Sequence, residues 1–559
     1  MVTVFKGVTV FDGSLDARQE CTDVIINNGV IADVGKDLTP PEGATVIEAD
    51  GLSLMPGIID IHTHYDAQIT WDPYLNPSPA LGVTTVVMGN CGFTIAPCKE
   101  RDRDLVMKNL TQVEAMSLDV LRQGIEWDFE SFPEYLDSVE RRGIAVNAAA
   151  FLGHSALRTY VMGEAAVERV ATDDEISQMC VIVRDAMRKG AVGFATSTAP
   201  QHNGWGGIPM PSRFADEREL DALVIAMSEA GRGVFMLTKG NNTDIPYLET
   251  LAKKAGCPVM IAALLHNPTD ANGTFNDLEQ IGAARSRGHD LWGQISCCPL
   301  TMEFTLESAY PLEGMKAWLP VMQASGDELI QMLADRNLRQ AVRDELEGSA
   351  GVRLFNGEWH KIELTEAAKA ENRHLEHRSI SSLAAEADKD PLDWMFDFAI
   401  SEGLKTVFTG VLLNSDEQAV SRMIRNPNSV VGLSDAGAHL TFMCDAGYGM
   451  HLLGHWSRAE GVLSIEEAVH ELTGKPAEIF GLTGRGRIAR GYAGDLVLFD
   501  LAEIGRGPKK RVHDLPGGAA RLTTDAVGLK GVWVNGTQVV DGEGCVLAPT
   551  LPGKLIRTF

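Results

Sequence analysis

Eight short apolar runs recur through the middle of this 559-residue chain, many of them separated by helix-length segments. They cover residues 57–64, 83–91, 145–154, 191–197, 233–239, 258–266, 290–297 and 429–435. Runs of this length that lack polar alternation read as strands buried on both faces. Helical patterns such as those over 217–230 and 243–255 lie between them, which implies a parallel sheet. Eight such strands predict an α/β fold, a closed (β/α)8 TIM-like barrel, with its chemistry at the carboxyl ends of the strands. The long gap between the seventh and eighth strands, roughly 300–428, carries several helical patterns. It is expected to be a helical insertion near the mouth of the site.

The chain ends have a different style. Short β-rich runs punctuated by glycine and by Asn27-Asn28-Gly29 fill the first fifty or so residues, and similar runs return after Gly494. Residues 1–55 and 485–559 are therefore expected to form one small β-sandwich-like domain around a barrel of residues 56–484. No apolar run approaches the length of a membrane span. Met1-Val2-Thr3-Val4-Phe5-Lys6 reads as a strand and not as an export signal. The nine cysteines have no regular spacing, which suits a reducing cytoplasm. A formal net charge of −27 repels phosphate backbones and anionic membranes, so neither nucleic acid nor a lipid surface is an expected partner.

The polar residues at the strand ends carry the chemistry. His62 and His64 close the first barrel strand one residue apart, so their imidazoles fall on one side of it. Two neutral imidazoles there suit a zinc-type cation. Cys91 ends the second strand in Gly89-Asn90-Cys91-Gly92, as a thiolate ligand or a small buried hydrophobe. Asp435 ends the eighth, where a carboxylate can bind metal and take a proton from water, or cap the next helix. His266 ends the sixth strand as a ligand or a hydrogen-bonded cap. His154, at the end of the third, reads as a substrate-contacting or supporting group. His202, Tyr448 and His451 are further candidates for substrate contact, and His439 and His455 are weaker ones.

Several of these segments, 56–66, 82–97, 146–163 and 190–197, resemble the D-aminoacylase branch of the amidohydrolase superfamily. A His-Thr-His motif, an Asn-Cys-Gly cysteine, a Gly-His-Ser-x-Leu-Arg segment and a Gly-Ala-x-Gly-x-Ser-Thr-like segment occur in that order. The tail from Leu463 to Asp495 matches as well. The resemblance implies hydrolysis of an amide bond by metal-activated water, with one or two divalent cations, zinc by donor type. It implies His62, His64, Cys91, His266 and Asp435 as metal ligands and Asp435 as general base. The pattern breaks in two places. The fifth strand reads Phe235-Met236-Leu237-Thr238-Lys239 where the family has a histidine, so a second metal position is weakened, lost, or served by Lys239 in a deprotonated or carboxylated form. The arginine that clamps a substrate carboxylate has no counterpart after Asp435, and Asn267 and Pro268 replace a lysine after the sixth strand.

The expected activity is thus hydrolysis of a small-molecule amide, larger or uncharged compared with an N-acyl amino acid. A lactone, ester or cyclic imide is the alternative with the same site. A non-catalytic metal-binding homologue is the reading from another class. A homo-oligomer is compatible with all three.

Overall fold

The computed structural model describes residues 2–348, 353–439, 441, 443–547 and 549–559. The chain opens with β1 (Val2–Val10), β2 (Gln19–Asn27), β3 (Val30–Gly35), β4 (Thr45–Glu48) and β5 (Ser53–Pro56). Seven strands of the central sheet follow: β6 (Ile58–Thr63), β7 (Val83–Met88), β8 (Asn147–Gly153), β9 (Gly193–Ser197), β10 (Val234–Thr238), β11 (Val259–Leu264) and β12 (Leu291–Ile295). Next come β13 (Thr301–Phe304), β14 (Ile362–Glu366), β15 (Arg378–Ser379) and β16 (Val407–Val411), then β17 (Ser429–Val431). The last five are β18 (Leu496–Phe499), β19 (Gly505–Leu515), β20 (Ala519–Val527), β21 (Leu529–Val534) and β22 (Thr537–Val540).

All eight strands expected in the middle of the chain are present, in one curled sheet of order β17-β12-β11-β10-β9-β8-β7-β6. Each of its neighbouring pairs is parallel. Its two outer strands approach one another beyond β17. Thr63 and Ala436 form a parallel bridge, and the His64 amide donates to the Ala436 carbonyl at 2.7 Å. β6 shows why such runs become central strands, since every residue from Ile58 to Thr63 is buried and three of the six are isoleucine. Its start is set by Gly57, where a Cβ would stand 2.0 Å from the Thr84 hydroxyl.

Helices pack outside the sheet through apolar stripes. In Asp173–Lys189 the buried Ile176, Met179, Cys180, Val183 and Met187 recur at three- and four-residue spacing. Each larger side chain among them contributes about 1.5–3 kcal/mol by leaving water. Thr172 and Glu175 cap one end reciprocally, and Gly190 ends the helix at φ 110°.

Both chain ends supply an eight-stranded sheet of order β22-β21-β18-β5-β1-β2-β3, with β4 beside β1. Its apolar cluster includes Phe5 against Trp533, edge to face at 4.8 Å. The final residues leave that sheet and lie along β8. Ala148 donates its amide to the Lys554 carbonyl at 3.0 Å, and Ile556 donates to Ala148 at 2.7 Å.

The segment between β12 and β17 corrects the expectation of a helical insertion. It holds a four-stranded antiparallel sheet of order β13-β16-β14-β15 as well as helices. Ile362 and Leu364 are buried and alternate with more exposed Glu363 and Thr365, a period-two pattern that a helix cannot use. This segment has an apolar cluster of its own, around Trp318, Phe396 and Phe408. No helix among the described residues is long and apolar enough to cross a membrane.

Candidate active site

The carboxyl end of β6 presents His62 and, one residue past the strand, His64. The His62 Nδ1 lies 2.7 Å from the Gln294 Oε1, and the Gln294 amide nitrogen donates to the Ile61 carbonyl at 3.5 Å. The amide oxygen must therefore accept the Nδ1 proton, which leaves the His62 Nε2 lone pair facing the cavity. Cys91 reaches the same point from the turn after β7, in a left-handed conformation at φ 57°. Flanking Gly92 allows this turn, since a Cβ there would lie 2.5 Å from the Ala195 carbonyl oxygen. The Cys91 Sγ stands 3.5 Å from the His62 Nε2 and receives the Thr238 hydroxyl proton at 3.0 Å.

Asp435 completes the group from beyond β17, with its backbone also left-handed at φ 48°. Its Oδ1 lies 3.3 Å from the His62 Nε2 and 3.5 Å from the His64 Nε2. Donors around one tetrahedral ion with bonds near 2.1 Å stand roughly 3.4 Å apart, which is the spacing of Asp435 from both imidazoles and of Cys91 from His62. Ligand atoms of His62, His64 and Cys91 all lie within 4.8 Å of one another.

The electrostatics agree with that spacing. Burial alone would push the Cys91 thiol up, but His62 and His64 bring it down to about 7. Burial also opposes a charge on Asp435, yet His64, His62 and His439 hold its carboxyl below the usual range. Both imidazoles of the pair hold protons more tightly than usual despite burial. Cys91 and Asp435 do this for His62, and buried Glu114, with its Oε1 3.2 Å from Nδ1, leads for His64. A site of two imidazoles, a thiolate and a carboxylate that attracts positive charge this strongly fits a divalent cation of zinc type.

These groups line a cavity of about 150 Å³, together with Phe93, His202, Thr238, Lys239, Leu265, Leu354, Leu413, Leu433 and His439. His202 is brought in as expected. Its Nδ1 meets the Ser197 hydroxyl at 2.5 Å, and its ring packs edge to face on Phe93 at 4.9 Å. Burial, with His439 and His64 nearby, pushes its imidazole down to about 3, so it is neutral.

Five expected site residues stand differently. Leu265 and Asn267 line the cavity, whereas the His266 ring lies beside Phe275 with centroids 6.2 Å apart, because successive strand residues alternate faces. Lys239 lines the cavity, but its Nζ is paired with the Asp277 Oδ2 at 2.5 Å instead of meeting the donors. Both nitrogens of His154 are engaged, by Thr196 and by Glu219 at 2.8 Å each, in a buried network with Arg158. Tyr448 is buried outside the cavity, and His451 stacks on His455 with centroids 4.8 Å apart. Sequence reasoning overlooked Gln294 and Glu114. A glutamine inside the apolar run of β12 is a usable signal, whereas Glu114 ends a helix and offers no local cue.

A parallel eight-stranded sheet with a cation-attracting cluster at its carboxyl end defines a hydrolase of the amidohydrolase class. Residues 45–540 match the model of the Amidohydrolase family, and the chain belongs to it. It is a metal-dependent hydrolase of amide bonds. An uncharacterised protein of Mycobacterium tuberculosis is 29% identical over 530 residues, covering 88% of this chain and 84% of its own. A D-aminoacylase of Alcaligenes xylosoxydans xylosoxydans is 28% identical over 543 residues, covering 96% and 94%. A D-aminoacylase structure, described for a binuclear metal centre with one-metal activation and second-metal attenuation, aligns at TM-score 0.68 and 25% identity over 100% of this chain and 99% of its own.

Proposed function

We propose that the protein hydrolyses an N-acyl amide of a small molecule at a single divalent cation held by His62, His64, Cys91 and Asp435. The observation that carries this reading is the placement of the Asp435 Oδ1 at 3.3 and 3.5 Å from the facing nitrogens of His62 and His64. The cavity wall offers two more imidazoles, His202, whose Nδ1 is held by the Ser197 hydroxyl at 2.5 Å, and His439, whose ring lies against Tyr310. Thr238 and Leu265 stand there, and the Thr238 hydroxyl already occupies the Cys91 sulfur at 3.0 Å. The curled sheet is accordingly read as a closed (β/α)8 barrel, with the sheet from both chain ends as a small separate domain. Nine free cysteines suit a reducing cytoplasm.

When bound, the cation supplies polarisation of the amide carbonyl and a more acidic water. Asp435 accepts a proton from the attacking water at its carboxylate and returns it to the leaving nitrogen as the C–N bond breaks. The products are a carboxylate and an amine. Neutral His202 offers a hydrogen bond to the acyl oxygen as charge develops there. Gln294 fixes the His62 tautomer, and Glu114 orients His64.

Asp435→Asn is expected to lower kcat by roughly 100- to 10,000-fold on any amide substrate, the range for loss of a general base. Initial rates of wild type and variant, each with metal content determined, check this. Equal rates at equal metal content would overturn the assignment.

A further inference from the structure

Part of the cavity wall is aliphatic. Val113, Leu265, Leu354, Leu413 and Leu433 face it, with Phe93 beside the histidines. The cavity of about 150 Å³ is thus polar at the donors and apolar along these side chains, which favours a guest with one apolar end. Two of these residues, Leu354 and Leu413, come from the segment between β12 and β17, so that segment is part of the pocket.

The Leu413 side of the wall is held firmly. Leu300 donates its amide to the Leu413 carbonyl at 2.9 Å. Adjoining Asn414 accepts the His266 amide at 2.7 Å, donates its own amide to the His266 carbonyl at 2.9 Å, and reaches the Ser296 carbonyl at 3.0 Å. A wall fixed at four backbone points is pre-organised for its guest.

Charge recognition is missing from the same cavity. Among the described residues that line it there is no arginine, and its lysine, Lys239, is already paired with Asp277 at 2.5 Å. A substrate carboxylate would leave water without a bidentate partner.

Resting on the proposed amide hydrolysis, we propose that the substrate is an uncharged amide whose apolar group, a phenyl ring or a branched chain, fills this pocket. It carries no free carboxylate next to the scissile nitrogen. Leu413 and Leu354 act as specificity-determining residues.

The matched pair N-acetyl-2-phenylethylamine and N-acetylphenylalanine, the latter as both enantiomers, differs only in the carboxylate and tests this directly. Calorimetric binding to the metal-loaded Asp435→Asn protein reads the pocket without turnover. The neutral amide is expected to bind at least tenfold more tightly than either acid, and Leu413→Arg is expected to reverse that order. Equal or tighter binding of an acid, or an unchanged ratio in Leu413→Arg, would overturn the proposal. Turnover of the pair by wild-type enzyme is measured alongside. Binding preference without any hydrolysis would count against the amide-hydrolase reading while supporting the pocket assignment.

Discussion

His451 illustrates how a residue that looks like a site group in sequence can have a different role. It stacks on His455 at 4.8 Å, with Arg506 nearby, and burial followed by that guanidinium pushes its imidazole down to about 3. In the unfolded chain an imidazole titrates near 6.5. Below that pH the unfolded state therefore holds a proton that the folded state refuses. The stability contributed by neutral His451 is fully present above pH ~6.5 and is lost as pH falls from there toward 3. One proton corresponds to about 1.4 kcal/mol per pH unit within that window. His451→Gln is expected to lose less stability than wild type between pH 7 and pH 5, by about 1–2 kcal/mol, in denaturant titrations at both values. Identical losses would show that His451 is not held neutral.

Turns carry as much of the site as strands do. Gly437 sits two residues beyond Asp435 at φ 92°, and a Cβ there would lie 2.6 Å from the His64 carbonyl oxygen. Gly437→Ala therefore combines left-handed strain with an overlap that pushes the β6 end away from Asp435. It is expected to cost roughly 1–3 kcal/mol and to reduce bound metal. Gly43→Ala serves as the control, because Gly43 has φ 76° but open space around it, so it carries the strain alone. Equal melting temperatures and metal contents for the two variants would contradict the overlap.

The strands of the central sheet were readable from sequence because a doubly buried strand is a continuous apolar run, as in Ile58–Thr63. The His62 and His64 pair was readable because period two places both on one side. His266 is ambiguous in sequence for the same reason: a slip of one residue exchanges faces, and nothing in Leu264-Leu265-His266 tells which residue looks inward. Of the two roles open to His154 in sequence, the structure shows a supporting one, and sequence alone does not tell them apart because its partner Glu219 is 65 residues away. Thr238, Gln294 and Glu114 act only through partners distant in sequence, so their roles emerge with the fold. The strands β13–β16 were missed because they are four or five residues or fewer, set among stronger helical patterns.

Over the whole molecule, three apolar clusters divide the work. The largest joins the central sheet to its helices, one lies in the sheet from both chain ends, and one lies in the segment between β12 and β17. That third body reaches the cavity through the wall residues Leu354 and Leu413 and through Tyr310, whose ring lies 5.3 Å from that of His439. The donors come from the central sheet and the apolar side chains from both that sheet's surroundings and this segment, in one cavity of about 150 Å³. A family relative is described for a binuclear metal centre, whereas in this chain Thr238 and Leu265 stand in the cavity wall beside the donors. The central claim is therefore a single cation at a defined place. Anomalous diffraction at the zinc edge, from crystals of zinc-loaded protein, tests it most directly. One peak per chain within bonding distance of His62, His64, Cys91 and Asp435 is the predicted result. Two peaks, or one peak placed against Lys239 or His266, would contradict it.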